Sequence, residues 1–238
     1  MMAVIELKNV TKEFKIRESV SLKEFVRNFF RFRTIDRISI IKNCSIELNK
    51  GDIVGVIGRN GVGKTTFLRL LCGILSPSSG KIKVNGKIAP LLSLGASFNE
   101  ELTPVQNIEL FSMLLDVRQK VDINKVFEMA QIDISLKNEK MKFFSSGMKA
   151  KIKFIASLLN DANILLLDEI FAVGDYAFQQ KAKELILEHM LQKELVVMVS
   201  HDLDLVKNIC NKILYIKEDG SYEYSSNIES TIKGYLDE

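Results

Sequence analysis

Apolar and polar residues alternate over Val4–Val10, which predicts a half-buried strand, and alternate again over Ile40–Leu48. The turn Asn49-Lys50-Gly51-Asp52 leads into a continuous apolar run, Ile53–Ile57, that reads as a buried strand. A glycine-rich loop and a helical stretch, Thr65–Cys72, follow. Lys81–Val84 and Lys87–Ala89 flank Asn85-Gly86, the preferred dipeptide of a two-residue turn, so a hairpin is expected there. From about Thr103 to Asn160 the spacing is helical, with no convincing strand. Two aliphatic strands come next, Asn163–Leu167 and Leu195–Ser200, separated by the helical segment Gln179–Gln192. A last hairpin turns at Asp219-Gly220 before a short terminal helix. Strands alternating with helices predict an α/β fold with a mainly parallel core sheet, and the strandless middle predicts an inserted helical subdomain at about 100–160.

Composition narrows the class. The 238 residues are 47% hydrophobic and 26% charged, which excludes disorder and allows one sizeable core. Thirteen Gly and three Pro exclude a collagen-like chain. A net charge of +3 is too small to argue for nucleic acid. Three scattered cysteines (Cys44, Cys72, Cys210) make neither a disulfide framework nor a metal cluster, so a reducing compartment is expected. No apolar run approaches the roughly 18 residues of a membrane span, and the N-terminus opens directly into a strand pattern with no signal region. The expectation is a cytoplasmic protein that can still sit on a membrane.

The chemistry concentrates in four places. Gly58-Arg59-Asn60-Gly61-Val62-Gly63-Lys64-Thr65 matches G-x-x-x-x-G-K-[ST], with a strand before it and a helix after it. Glycines let such a backbone curl its N–H groups inward around phosphate. The helix start adds its positive dipole end, Lys64 would reach the β and γ phosphates, and Thr65 would ligate Mg²⁺. The strand Ile164–Leu167 delivers Asp168 and Glu169 at its C-terminal end, the edge of a parallel sheet where ligands bind. Asp168 is placed to hold Mg²⁺ and Glu169 to polarise the attacking water, against the plainer reading of a solvated loop start. His201 ends a second aliphatic strand at the same edge and can touch the γ-phosphate, unless it is an ordinary surface histidine. Phe144-Ser145-Ser146-Gly147-Met148 opens a helix. On its own that is an N-cap, although one able to bind an anion. Asn49-Lys50-Gly51-Asp52 fits a guanine-reading pattern, but it precedes the phosphate loop by a single strand and cannot serve that role.

The ordered set Gly58–Thr66, Ser145–Met148, Asp168-Glu169 and His201 resembles the nucleotide-binding subunit of an ABC transporter, over essentially the whole chain 1–238. The resemblance implies one P-loop ATPase domain with an additional N-terminal antiparallel β part. It also implies ATP and Mg²⁺ as cofactors. ATP would be held by Gly58, Asn60, Gly61, Val62, Gly63, Lys64, Thr65 and Thr66. It further implies a head-to-tail homodimer, closed by ATP, in which Ser145, Ser146 and Gly147 bind the γ-phosphate of the partner copy's nucleotide. Catalysis would rest on Glu169, His201 and Lys64, with Thr65 and Asp168 at the metal. Phe14, in Val10-Thr11-Lys12-Glu13-Phe14, matches the aromatic that stacks on adenine, with a core phenylalanine as the alternative.

The departures point to a subfamily. The signature is FSSGM in place of the commoner LSGGQ. No glutamine stands near Ser93–Gly95, and Gln106 falls too late to replace it. Phe171–Phe178 replaces the usual loop after the catalytic acid. These variants are similar to the ATPases of bacterial exporters of O-antigen, capsule or teichoic acid, which implies permease partners and a peripheral position at the cytoplasmic face of the inner membrane. Leu22, Phe25, Val26, Phe29 and Phe30 form one apolar stripe within residues 19–33, flanked by Lys23, Arg27, Arg31 and Arg33. That stripe fits a membrane interface or a partner, or else packs on its own domain. The competing readings are an ABC exporter of another substrate, a soluble ABC-type ATPase acting on nucleic acid or ribosomes, and a P-loop kinase or GTPase.

Overall fold

The computed structural model describes residues 3–15, 37–91, 98–114, 121–159, 161–168 and 175–238. The basic amphipathic stretch, the segment Ser93–Gly95 and Glu169 lie outside these residues.

Two sheets organise the chain. A three-stranded antiparallel sheet has the order β2-β1-β4, from β1 (Ile5–Lys15), β2 (Arg37–Leu48) and β4 (Ser79–Val84). A six-stranded sheet has the order β5-β6-β7-β3-β8-β9. It is built from β3 (Asp52–Ile57), β5 (Ile88–Leu91), β6 (Ile164–Asp168), β7 (Leu195–Val199), β8 (Lys212–Ile216) and β9 (Tyr222–Ser225). Every pairing in it is parallel except that of β8 with β9, the hairpin expected at Asp219-Gly220. The α/β expectation with a mainly parallel core and an antiparallel N-terminal part therefore holds.

The uninterrupted apolar runs have a simple cause: the parallel strands are buried on both faces. Along β6, Ile164 and Leu166 enter one core, with the antiparallel sheet and helix α1 (Lys64–Leu71). Leu165 and Leu167 enter the other. That second core contains residues of α2 (Pro104–Leu114), α3 (Ile123–Ala130), α4 (Ser146–Leu158), α5 (Tyr176–Leu191) and α6 (Leu203–Ile209). Helix α7 (Ile228–Asp237) packs against it through Ile228, Ile232 and Tyr235. Between β5 and β6 the described residues form only helices and two 3₁₀ turns, Ile134–Asn138 and Met141–Phe143.

One expectation fails. Asn85-Gly86 does not close a hairpin, because β4 pairs with β1 (Ile5 opposite Val84) while β5 pairs with β6 (Ile88 opposite Ile164) in the other sheet. Asn85 is absent from the positive-φ residues that a type I′ turn requires, which among the described non-glycines are Asn9, Asn43 and Gln131. It is held instead by bonds to the Val4 and Ala3 carbonyls, and Asn163 Oδ1 receives the Lys87 N–H at 2.7 Å. The dipeptide is a crossing between sheets. Asn49–Asp52 is the expected turn, with Gly51 at φ +89°. It sits at the start of β3, at the opposite end of that strand from the glycine loop.

Candidate functional site

The glycine loop leaves the C-terminal end of β3, with β7 on one side and β8 on the other. Chain connections diverge around this central strand, which opens a crevice at its carboxyl end. Gly58 has φ +150°, and a Cβ there would lie 2.5 Å from the Ile216 carbonyl oxygen of β8, so only glycine fits. Gly63 caps α1 in the left-handed region (φ +112°), with no side-chain bond and no acidic residue in the first turn. The N–H groups of that turn thus receive no side-chain cap at Gly63, and they form the positive end of the helix dipole. Lys64 is buried, and its ammonium donates to the carbonyl oxygens of Gly58 (2.8 Å) and Arg59 (3.1 Å) within the loop. A cation folded into its own loop, beside a helix start with no side-chain cap, suits an anion with several oxygens. At Gly61 a Cβ would meet nothing within 4 Å, so space lies open beside the loop.

Register places the other edge residues. Val56 is level with Val199, and Val199 is level with Asp168. Gly58 and His201 each stand two positions beyond that row, and the strands carrying Gly58 and Asp168 are separated only by β7, about 10 Å across the sheet. His201 is exposed on a tight turn. Ser200 Oγ accepts the Asp202 N–H (3.0 Å) and Asp202 Oδ1 accepts the Leu205 N–H at the start of α6 (2.9 Å). Asp168 is half-buried, and its carboxylate, like the Thr65 hydroxyl, is a hard oxygen donor of the type that Mg²⁺ prefers. Glu169 lies one residue beyond the described strand.

Phe14 is 41% exposed, so it is not a core residue. Its register partner on β2 is Ile38, itself 52% exposed, and the two form an apolar shelf at the end of the antiparallel sheet. The β1–β2 register slips between Lys12 (opposite Ile41) and Glu13 (opposite Ser39), which leaves Ile40 as the extra residue of β2. Ile40 Cγ2 lies 1.9 Å from where a Gly63 Cβ would stand. The strand therefore rests on the glycine loop, and the shelf begins two residues further along, about 7 Å.

Ser145 caps α4, its Oγ accepting the Met148 N–H at 3.2 Å. Ser145 and Ser146 are exposed, and a Cβ on Gly147 would meet only Ser145 Oγ, at 4.0 Å. This open turn is tied to its surroundings by the lysines behind it. Lys149 pairs with Glu100 (2.9 Å), and Lys151 with Asp175 (2.7 Å). The Lys151 ammonium, together with the Phe178 N–H, holds the Asp175 carboxyl below the usual carboxylate range. Asp175 in turn caps α5, just after the residues that follow Glu169. α4 packs against the edge strand β5, three strands from β3, so glycine loop and serine turn belong to elements well apart in the same chain.

Gln106 has a local role. It sits three residues after Thr103 in a reciprocal cap, its Oε1 accepting the Thr103 N–H (3.0 Å) while Thr103 Oγ1 accepts the Gln106 N–H (3.2 Å). Ile38 and Ile40 are the site-bordering residues that the sequence reading missed. The available signal was an isoleucine pair, Ile38 and Ile40, on one face of the strand at its polar start, opposite in alternation to Ile41.

A glycine loop over a central parallel strand, an acid and a histidine on neighbouring strand ends, and an antiparallel sheet leaning on the loop define a P-loop nucleotide-binding domain. Residues 41–172 match the ABC transporter family. The chain is 32% identical over 234 residues to the O-antigen export system ATP-binding protein RfbB of Klebsiella pneumoniae, covering 95% of both. It is 36% identical to the O-antigen export system ATP-binding protein RfbE of Yersinia enterocolitica, covering 80% of this chain and 81% of that one. The teichoic acids export ATP-binding protein TagH of Staphylococcus epidermidis is 30% identical, covering 99% of this chain and 89% of the relative. Among solved structures, a dimeric ATP-binding cassette in a post-hydrolysis state with ADP and Pi has a TM-score of 0.69 at 22% identity, over 93% of this chain and 97% of that one, and so shares the fold. The chain belongs to the ABC transporter family and is an ATP-binding, ATP-hydrolysing subunit of that kind.

Proposed function

We propose that this chain powers a bacterial exporter of lipid-linked surface polysaccharide, of the O-antigen, capsule or teichoic acid kind. The observation that carries this reading is the similarity, over 80–99% of the chain, to subunits named for export of O-antigen and of teichoic acids. A nucleic-acid or ribosome-directed role is not favoured by these relatives or by a net charge of +3.

In this reading the loop from Gly58 to Thr66 cradles the phosphates of ATP, with Asn60, Gly61 and Val62 on its outer curve and Lys64 neutralising the β and γ oxygens. Thr65 and Asp168 hold Mg²⁺, which supplies charge neutralisation at the transferring phosphoryl group. Glu169 orients the attacking water and His201 steadies the γ-phosphate from the adjacent strand end. The adenine rests on Phe14. Ser145, Ser146 and Gly147 meet the γ-phosphate held by a second copy, so ATP closes the homodimer and hydrolysis opens it. Membrane permease subunits convert that cycle into glycan movement at the cytoplasmic face of the inner membrane, where this subunit is peripheral. None of the helices among the described residues is long and apolar enough to cross a membrane.

The test is complementation. In cells lacking the native gene, the parental chain should restore surface glycan, while Lys64→Ala should leave lipid-linked glycan inside. Restored export by Lys64→Ala, or unchanged surface glycan in the deletion, would refute the reading.

A further inference from the structure

The shelf that borders the glycine loop contains a residue with no part in the account so far. Lys12 lies two residues before Phe14 on β1, and its ammonium sits over the Phe14 ring, 5.0 Å from the centroid. The same nitrogen donates to the Ser76 carbonyl oxygen at 2.8 Å, in the loop between α1 and β4. The cation is therefore fixed from two sides, by a backbone oxygen of the segment that follows α1 and by an aromatic face. Glu13 between them is occupied elsewhere. It pairs with Arg37 (3.0 Å), accepts from Ser39 Oγ (3.4 Å), and its N–H donates to Ser78 Oγ (3.0 Å). These bonds pin the strand on both sides of the ring while Phe14 keeps 41% of its surface open.

An ammonium over a phenyl face is attracted to the ring's negative π surface. It withdraws electron density from the ring, which makes the ring a better partner for a purine with its own electron-rich π system. It also fixes a side chain that would otherwise lose rotamer freedom on binding. We propose that Lys12 is a positioning residue for the nucleotide base, holding the Phe14 ring as a stacking platform while its ammonium is anchored on the Ser76 carbonyl. The proposal rests on the ATP reading above and extends it to a residue that need not touch the nucleotide.

Binding of Mg·ATP and of inorganic tripolyphosphate with Mg²⁺ to the full chain, measured by titration calorimetry, separates the possibilities. Lys12→Met keeps the aliphatic stem and removes the charge. It should weaken ATP about two- to fivefold, the usual reach of one exposed cation–aromatic contact, and leave tripolyphosphate unchanged. Lys12→Arg should restore ATP affinity, since a guanidinium also stacks on an aromatic face. In a Phe14→Ala background, itself weakened for ATP by base-stacking loss, Lys12→Met should have no further effect, because the two act as one unit. Equal weakening of ATP and tripolyphosphate would overturn the proposal, since the charge would then act on phosphate or on the site as a whole. So would an equal effect of Lys12→Met with and without the Phe14 ring, or no effect at all. A parental chain that binds neither ligand would refute the ATP reading itself, a result distinct from each of these.

Discussion

Two helix starts in this chain offer themselves to an anion, and they are built differently. At α1 the capping residue is Gly63, in a left-handed conformation with no side-chain bond, and a buried lysine is folded into the loop ahead of it. At α4 the cap is Ser145, which already satisfies the Met148 N–H, Ser145 and Ser146 are exposed, and the adjacent Lys149 is paired with Glu100. The first is a complete receptor, in which charge, backbone donors and shape are all present in one loop. The second is a well-capped helix with free space over Gly147, and it gains a ligand only when something presents one. On the reading proposed above, that contrast would let one chain hold a nucleotide alone and yet be driven to pair by it.

Removing the cation from the complete receptor should have the largest effect. Lys64→Ala loses several charge-assisted hydrogen bonds to phosphate, so Mg·ATP affinity measured by calorimetry should fall on the order of 10²-fold or more. Affinity within a few-fold of the parental value would mean that the loop binds phosphate without its lysine. Glu169→Gln comes next: binding should persist while steady-state hydrolysis drops by about 10²–10⁴, because phosphoryl transfer depends on positioning and electrostatics. Parental turnover in this variant would remove Glu169 from its assigned role.

The incomplete receptor calls for a gentler change. A carboxylate in the first turn of a helix favours the dipole, and a Cβ at Gly147 meets only Ser145 Oγ at 4.0 Å. Gly147→Asp should therefore fold, melt at or above the parental temperature and bind one ATP per chain at close to parental affinity, yet fail to hydrolyse it. A variant with normal turnover would show that this turn never meets a triphosphate.

The smallest effect concerns the tie between the serine-turn helix α4 and the start of α5. Asp175→Asn keeps the cap on α5, since Asn and Asp cap equally well, and removes the charge that Lys151 pairs with. The Asp175 carboxyl is held below its ordinary value of 3.8, so its contribution is complete above that pH and is lost as pH falls through the depressed value. Asp175→Asn should melt no more than a few degrees below the parental chain at pH 7, and the gap should close on acidification towards pH 3. A gap that widened with acid would reverse the sign of this interaction.

Much of the fold was legible because β3, β6 and β7 are buried on both faces and read as unbroken apolar runs, which alternate with helical stretches as a parallel α/β sheet requires. The glycine loop was legible because its spacing, its strand and its helix agree. Asn85-Gly86 misled because a turn dipeptide is a local signal, whereas the partner of β4 is chosen by Val84 and Ile82 pairing with Ile5 and Leu7, nearly eighty residues away. Helix α6 was not anticipated: it has seven residues, and its main mark is the Asp202 cap. The contact of Ile40 with the loop depends on a one-residue slip between β1 and β2, which no periodicity encodes. The meeting of the serine turn with a second copy's nucleotide leaves no trace in one chain's pattern, and the resemblance alone suggested it.

The claim that two unlike helix starts from different copies close on one triphosphate is tested most directly by sedimentation of the Glu169→Gln chain with Mg·ATP. The account predicts a dimer that forms only with ATP, reverts to monomer with ADP, and is abolished by adding Gly147→Asp without loss of bound nucleotide. A Glu169→Gln chain that binds ATP and stays monomeric, or whose dimer is indifferent to Gly147→Asp, would contradict it.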